Sequence, residues 1–332
     1  MVRTSTKFLG HTDWILVFTI IPLLGAGLVT MESFVGDNIF FIKQLLWIAI
    51  SFVVFIIVSF GDYRFLRKTE VVISVFIFMG GVLLSLFVLG KVFQGAQSWF
   101  DFGFFAFQPA DLAKLVLIIV LAKYFSRRHE EIAHYKHIIL SGMYALVMFL
   151  LVFLQPDFGS ALILFLIWFG MILVSGIPKK HFLIVLSLGV IIFSLLWVFV
   201  LADYQKARVS TFLNPLTDIS GAGYNDYQST IAVGSGGLLG KGVGYGTQSR
   251  LEFLPEYQTD FVFAAFTEEW GFIGALIVFL LFGIIIWRII KIASRGETNF
   301  EVLFGLGVAI MFISQFLIHV GMNIGLMPIT GL

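Results

Sequence analysis

Residues 71–90 read VVISVFIFMGGVLLSLFVLG, twenty consecutive positions without one charged side chain. An α-helix needs about 20 apolar residues to cross the hydrocarbon core of a bilayer, which is about 30 Å thick. The strands and helices of a soluble core are usually shorter than this. The stretch therefore predicts a transmembrane helix.

The composition of the whole chain also indicates a membrane protein. Of its 332 residues, 59% are apolar and 12% are charged, whereas soluble domains carry about 25% charged residues. So little polar surface excludes a disordered chain and an ordinary cytosolic enzyme. The net charge of +1 provides no basic field for nucleic acid, and the absence of cysteine excludes disulfides and a cysteine nucleophile.

Nine apolar runs predict an all-α, polytopic transmembrane bundle that forms one integral membrane domain over residues 1–332. The predicted helices cover about residues 14–30, 39–60, 71–90, 108–125, 138–154, 159–177, 181–201, 261–287 and 300–320. One long loop, about residues 202–260, joins the seventh and eighth helices. It is rich in glycine, which favours tight turns packed on the helices, and loops of this length are usually functional.

The basic residues of the short loops predict the orientation of the bundle, because cytoplasmic loops carry an excess of Lys and Arg. One set of loops holds fourteen of the 21 basic residues. The opposite set holds five, which are Lys91, Lys206, Arg208, Lys241 and Arg250. We therefore expect the N-terminus in the cytoplasm and the long loop on the outer face of the membrane.

Ionisable residues inside a membrane bundle are costly unless they are paired or hydrated, so the few present here are candidate site residues. Lys114 follows the segment Gln108-Pro109-Ala110-Asp111 and lies roughly 9 Å into the fourth helix. Asp157, between the fifth and sixth helices, is its expected counter-charge. Two interpretations stay open, namely a structural ion pair and a site that binds an anionic group.

A second group of acids precedes the eighth helix, in Leu254-Pro255-Glu256-Tyr257-Gln258-Thr259-Asp260-Phe261. Asp260 can cap this helix, where the helix dipole stabilises a carboxylate, or it can act chemically. Glu268 lies two helical turns further on the same side, within the apolar run. His181 and His319 have no metal-ligand spacing, so we expect ordinary polar contacts from them.

Several loop motifs resemble those of one protein family. They are Gly223-Tyr224-Asn225-Asp226-Tyr227-Gln228-Ser229, the segment 234–242, Leu254-Pro255-Glu256, Thr259-Asp260-Phe261, Gln155-Pro156-Asp157 and Phe212-Leu213-Asn214-Pro215. On these residues the chain is similar, over essentially its whole length, to the shape, elongation, division and sporulation (SEDS) family of peptidoglycan polymerases. The family usually has Ser-Glu where this chain has Ala110-Asp111, which keeps the acid and loses a hydroxyl. Family members continue into a tenth helix, so nine helices of a ten-helix fold are expected here.

The resemblance implies a peptidoglycan glycosyltransferase of the bacterial cell membrane that polymerises lipid II during cell elongation. Asp260 is the expected general base. The residues expected to bind substrate are Lys114, Asp157, Arg208, Glu256 and Lys241. The three basic residues among them would neutralise the pyrophosphate, with Asp157 orienting Lys114, and Glu256 would act as a second acid or brace the loop. A divalent cation, Mg²⁺ or Mn²⁺, at the pyrophosphate is a further expectation, although the sequence contains no dedicated ligand cluster.

The resemblance also implies partners, which are a class B penicillin-binding transpeptidase and other membrane proteins of the elongation complex, and no nucleic acid. Two other functions stay open. A flippase for lipid II would need a charged path open alternately to both faces, whereas the embedded charges gather near the predicted outer side. A non-catalytic scaffold of the elongation complex would not need Asp260.

Overall fold

The computed structural model describes residues 12–33, 39–93, 96–103, 106–127, 135–176, 178–199, 206, 223–251 and 253–329. The long helices are α1 Trp14–Glu32, α2 Ile39–Ser59, α3 Thr69–Leu89, α4 Pro109–Ser126, α5 Tyr135–Phe153, α6 Phe158–Val174, α7 Lys179–Phe199, α10 Val262–Ala293 and α11 Asn299–Asn323. The shorter elements are α8 Tyr224–Ser235, α9 Thr247–Arg250, a 3-10 helix Tyr63–Arg67, and strands β1 Lys91–Phe93, β2 Ala96–Asp101 and β3 Ala106–Phe107.

Each of the nine predicted membrane segments corresponds to one long helix, so the predicted all-α fold is confirmed. Six of these helices, α1, α2, α3, α5, α10 and α11, are long and apolar enough to cross a membrane. α6 and part of α7 are apolar but shorter. α4 is different, because its 18 residues include Asp111, Lys114 and Lys123, and most of its side chains are buried.

The chain forms two compact units. Unit 1 comprises Met1–Asp62, Ala207–Arg288 and Ile318–Ile329, and unit 2 comprises Tyr63–Lys206, Ile289–Leu317 and Thr330–Leu332. The prediction of one integral membrane domain over the whole chain stays a prediction.

The core of unit 2 is built around α4, which packs against α3, α5 and α6. Gly307 of α11 lies so close to Ile118 of α4 and Met171 of α6 that an added Cβ would need both side chains to move. The strands form a small antiparallel sheet in the order β1-β2-β3 between α3 and α4 in the chain. The buried, largely apolar α4 therefore provides a fixed support for the polar residues at its N-terminal end.

In unit 1, an ion pair joins the start of α1 to α10. Asp13 caps α1, since Leu16 N donates to its Oδ1 at 3.1 Å. Arg288 Nε donates to both carboxylate oxygens of Asp13, at 3.1 and 3.0 Å. Burial acts to raise the pKa of Asp13, but the hydrogen bonds from Arg288 and Leu16 outweigh it, and the pKa lies below its usual value.

Candidate functional site

The helix that follows the long loop, α10, is interrupted at Gly271, whose φ of 68° and ψ of −168° are not helical. The next two amides bond outside the helix. Phe272 N donates to Gly237 O at 2.9 Å, and Ile273 N donates to Leu238 O at 3.1 Å. The carbonyls that accept these bonds belong to residues 236–246, here called the glycine loop.

The glycine loop also satisfies the carbonyls on the other side of the interruption. Lys241 N donates to Glu268 O and Gly242 N donates to Glu269 O, both at 3.0 Å. In an uninterrupted helix these two carbonyls would accept from the amides four residues later. Four hydrogen bonds between the loop and α10 therefore serve the backbone groups freed by the break, as a protein surrounded by lipid requires.

Three glycines allow this close approach of two backbones. A Cβ on Gly236 would collide with Thr267 O, and one on Gly240 would collide with Glu269 O. A Cβ on Gly271 would collide with Gly240 N. Gly240 and Gly271 also have positive φ values of 81° and 68°, which L side chains rarely adopt. The glycine content of the loop thus has a structural purpose at these positions.

A buried carboxylate clamps the glycine loop to α10. Glu268 Oε1 accepts from Lys241 Nζ at 2.7 Å, from Thr247 N at 2.8 Å and from Thr247 Oγ1 at 3.0 Å. Gln248 N donates to the same oxygen at 3.1 Å. Lys241 Nζ also donates to Thr247 Oγ1 at 2.7 Å. The charge of Lys241 is therefore already paired with Glu268, a partner that the sequence analysis did not assign to it.

The adjacent acid joins the same loop to α1. Glu269 Oε1 accepts from Ser33 Oγ at 2.6 Å and from Gly244 N at 2.9 Å. The only advance signal for this contact was an acid inside an apolar run, which must find donors somewhere. The donors themselves lie far away in the sequence, so the partner could not be identified from it.

Asp260 lies in a tight turn immediately before α10, which begins at Val262. Glu256 organises this turn. Its carbonyl accepts from Thr259 N at 3.1 Å and from Phe261 N at 3.2 Å, and its Oε2 accepts from Thr259 Oγ1 at 3.2 Å. Asp260 is partly buried and Glu256 is exposed, so the two predicted site acids share one turn but have different surroundings.

Asn323, the last residue of α11, holds this turn against the helix. It is fully buried, and its Nδ2 donates to Asp260 O at 2.9 Å and to His319 O at 2.7 Å. Its Oδ1 accepts from Ala264 N, in the first turn of α10, at 3.0 Å. The amide of Ala264 is thus capped by Asn323, and both roles considered for Asp260 stay predictions.

An apolar cluster packs around the Asp260 turn. Its buried members are Ala232, Leu254, Tyr257, Phe261, Ala264 and Ala265, and Val233 and Ile329 pack against them. The cluster combines α8, the turn itself, the start of α10 and the segment after α11. Because four separate segments meet there, the backbone on both sides of Asp260 is tightly constrained.

The other candidate residues lie at the N-terminal end of α4, in unit 2. Lys114 is buried, and its Nζ pairs with Asp111 Oδ1 at 2.8 Å. The direct partner of Lys114 is therefore Asp111 and not Asp157, its expected counter-charge. Asp111 lies three residues earlier on the same helix. Side chains at this spacing are close neighbours, so the Asp111 carboxylate is within reach of Lys114 Nζ.

Asp157 instead caps α6 and binds a side chain of the α4 N-terminus. Its Oδ1 accepts from Ser160 N at 3.0 Å, and its Oδ2 accepts from Gln108 Nε2 at 2.7 Å. Burial raises the pKa of Asp157 above its usual value, although the Ser160 bonds, the charge of Lys114 and the Gln108 bond act in the opposite direction. Lys114 therefore interacts with Asp157 through charge rather than through a direct hydrogen bond.

Two expectations concern Arg208 and a divalent cation. Arg208 and the motif at residues 212–215 lie outside the described residues. Within the described part of the chain, no three His, Asp or Glu side chains are grouped so that they could hold a metal ion. These residues therefore provide no protein cage for a divalent cation.

Comparison with known proteins gives a consistent answer. The FtsW/RodA/SpoVE family model, described as a cell cycle protein, matches residues 8–332. The chain is 38% identical to the probable peptidoglycan glycosyltransferase FtsW of Haemophilus influenzae, over 77% of this chain and 66% of that protein. It is 36% identical to the peptidoglycan glycosyltransferase MrdB of Escherichia coli, over 75% of this chain and 67% of that protein.

A solved structure supports the same relationship. One chain of a peptidoglycan synthase complex, described for its structural coordination of polymerization and crosslinking, aligns with a TM-score of 0.83 at 28% identity. The alignment covers 97% of this chain and 90% of that one. The alignments with FtsW of Haemophilus influenzae and MrdB of Escherichia coli each cover about two thirds of the length of those relatives. Their names agree with the predicted enzyme class, a glycosyltransferase, and the chain belongs to the FtsW/RodA/SpoVE family, the SEDS family recognised in its loop motifs.

Proposed function

We propose that this chain is a peptidoglycan glycosyltransferase that polymerises lipid II into glycan strands at the outer face of the bacterial cell membrane. The observation that carries the proposal is the position of Asp260. Its side chain is partly buried at the head of α10, its carbonyl is held by Asn323, and Asn323 caps Ala264. Asn323 thus fixes the backbone of the turn that carries Asp260, the acid to which we assign the role of base.

The proposed reaction joins two lipid-linked sugars. Lipid II carries a disaccharide-pentapeptide on a polyprenyl pyrophosphate. A hydroxyl of the acceptor sugar attacks the anomeric carbon of the growing glycan, the bond to the pyrophosphate breaks, and the polyprenyl pyrophosphate leaves with the electron pair. The donor bond is α and the product bond is β, so one inverting displacement suffices. Asp260 removes the proton from the attacking hydroxyl.

The leaving pyrophosphate requires positive charge, and we assign this role first to Lys114 and Arg208. Lys114 is buried, and its Nζ pairs with Asp111 Oδ1 at the N-terminal end of α4. Lys241 already donates to Glu268 and Thr247, so we assign it a secondary role in binding the pyrophosphate. Glu256 braces the turn. A divalent cation stays a prediction, and it would be held mainly by pyrophosphate oxygens.

The test is polymerisation of labelled lipid II by the purified full-length protein with its cognate transpeptidase. Asp260→Asn keeps the shape of the side chain and removes the base, so glycan synthesis should fall by on the order of 100-fold or more. Glu256→Gln is the matched control in the same turn and should cost far less. Binding of lipid II by Asp260→Asn should persist.

The other outcomes separate the remaining functions. Near wild-type synthesis by Asp260→Asn, with loss in Glu256→Gln, would transfer the base role to Glu256. Absence of synthesis by the wild type, together with transport of lipid II across vesicles, would favour a flippase. Absence of both would favour a scaffold of the elongation complex.

The proposed protein partners are a class B penicillin-binding transpeptidase and other elongation-complex membrane proteins. The similar chain in a peptidoglycan synthase complex supports this proposal. We propose that the transpeptidase contacts the 202–260 loop and shifts its conformation. Polymerisation rates measured with and without the transpeptidase test this, and equal rates would contradict it.

We further propose a role in cell elongation, as a RodA-type member, with the N-terminus in the cytoplasm. The segments Gly234-Ser235-Gly236-Gly237 and Gly246-Thr247-Gln248-Ser249 resemble RodA more than the division protein FtsW. Overall sequence identity does not separate the two types, since it is 38% to the FtsW of Haemophilus influenzae and 36% to MrdB, the RodA-type protein of Escherichia coli. Rescue of rod shape, but not of division, in depleted bacteria is the expected result.

A further inference from the structure

The tip of the glycine loop presents apolar side chains to its surroundings. The side chains of Leu238 and Leu239 are 71% and 78% exposed. They belong to the most polar stretch of the chain, which is predicted to lie outside the membrane. Exposed, contiguous apolar surface usually marks a surface that contacts another molecule.

Backbone hydrogen bonds place this tip beside α10. Leu238 O accepts from Ile273 N, and Gly237 O accepts from Phe272 N. The side chains of Phe272 and Ile273 are themselves 58% and 47% exposed. Leu238, Leu239, Phe272 and Ile273 are called the apolar patch below, and half of this patch belongs to a membrane-spanning helix.

The sequence of α10 indicates where the patch lies relative to the bilayer. Eighteen residues from Trp270 to Trp287 contain no charge. The sixteen that follow the break at Gly271 form a helix about 24 Å long, most of the thickness of a hydrocarbon core. Trp is enriched at both membrane interfaces, and Arg288 follows directly at one end. The apolar patch is next to Trp270, at the opposite end of this segment.

We propose that Leu238 and Leu239 insert into the lipid at this interface and anchor the glycine loop to the bilayer. Lipid acyl chains suit the patch because it is continuous with the spanning segment of α10. Three backbone carbonyls of the tip are already paired within the protein, since Gly236 O, Gly237 O and Leu238 O all accept hydrogen bonds, which lowers the cost of bringing the tip into the interface. The proposal does not depend on the glycosyltransferase activity.

The absence of cysteine from the chain allows a direct test with single-cysteine variants. The test variant is Leu239→Cys. Arg250→Cys, at an exposed position just after the loop, is the water-facing control, and Leu280→Cys, at an exposed position of α10, is the lipid-facing control. Each protein is placed in vesicles of phosphatidylcholine and phosphatidylglycerol, with thermal unfolding used to confirm the fold.

Two measurements then locate the side chain. A fluorophore on residue 239 should be quenched by lipids that carry a nitroxide near the headgroup, as strongly as one on residue 280 is quenched by a deeper nitroxide. The unlabelled Leu239→Cys thiol should react several-fold more slowly with a membrane-impermeant maleimide than Arg250→Cys, since a thiol in apolar surroundings forms less thiolate.

Other results would overturn the proposal. If residue 239 behaves like residue 250 in both measurements, the tip is in water. If it resists both the lipid quencher and the maleimide, protein covers it, from another part of this chain or from a second copy. Adding the cognate transpeptidase should leave the quenching of residue 239 by lipid unchanged. If residue 239 is not quenched by lipid even in vesicles that lack the transpeptidase, an anchor is excluded.

Discussion

Asn323 and Asp260 are joined by a hydrogen bond of 2.9 Å from the buried Asn323 amide to the backbone carbonyl of Asp260. The two residues are 63 positions apart in the sequence. The same amide group accepts from Ala264 N. One side chain of α11 therefore fixes both the turn that carries the proposed base and the first turn of the helix behind it.

Replacing this side chain should affect the reaction more than the binding of substrate. Asn323→Ala leaves the Asp260 carbonyl and the Ala264 amide without their partner, which should cost about 1–3 kcal/mol of stability. We expect kcat of polymerisation to fall and KM to change little, because the turn loses its position while the rest of the site remains. Ser314→Ala, at another buried position of α11, is the control and should retain both constants. A fall in unfolding temperature with kcat unchanged would show that Asn323 only caps the helix.

The pair Lys241–Glu268 should behave as one unit in stability measurements. Glu268→Gln leaves Lys241 beside a buried site without its counter-charge, and removal of one partner of a buried pair costs several kcal/mol. Lys241→Met removes the other partner. The double variant should be more stable than the sum of the single effects by about 0.5–3 kcal/mol, measured by thermal unfolding. Strict additivity, with weaker lipid II binding by Lys241→Met, would assign Lys241 to the substrate instead.

Two neighbouring glycines should respond in opposite ways to the same change. Gly234 lies within α8 with open space around its Cβ position, so Gly234→Ala should stabilise the protein by about 0.5–1 kcal/mol. Gly236→Ala would drive a methyl group into the backbone carbonyl of Thr267 and push the glycine loop away from α10. Its unfolding temperature should fall, and amide exchange at Lys241 and Phe272 should accelerate. Equal effects of both substitutions would contradict the close approach of the two backbones.

The raised pKa of Asp157 predicts a dependence of stability on pH. Burial is the largest cause, so the folded protein holds the proton of Asp157 more tightly than the unfolded chain, whose ordinary pKa is 3.8. Stability from this group is therefore lost as the pH rises from 3.8 through the raised pKa. Asp157→Asn can still cap α6 but does not titrate, so its unfolding temperature should depend less on pH in that interval. Parallel curves for the two proteins would refute the assignment.

The sequence allowed the helices to be predicted because membrane crossing depends on local composition. The stretch 71–90 is apolar wherever its neighbours lie, and α3 covers nearly all of it. The acid-rich turn before α10 was likewise visible, since Glu256 and Asp260 are only four residues apart. Features of this kind need no knowledge of which helices become neighbours.

The hydrogen-bond partners of the polar residues depend on the fold, so they could not be predicted from the sequence. Glu268 takes its donors from Lys241 of the glycine loop and from the first two residues of α9, and Asn323 reaches back across 63 residues to Asp260. For Lys114, the expected counter-charge Asp157 acts at a distance, whereas the direct contact is made by Asp111, its neighbour on the same helix face. Apolar patterns locate helices, but they carry no information on which buried donor finds which acceptor.

The break in α10 has a consequence for how the protein is assembled. The glycine loop precedes α10 in the chain, so it is synthesised before the helix whose freed amides and carbonyls it must satisfy. Until the two meet, the amides of Phe272 and Ile273 and the carbonyls of Glu268 and Glu269 lack the loop groups that serve them. Loop and helix therefore mature together, as a single step that follows insertion of α10 into the membrane.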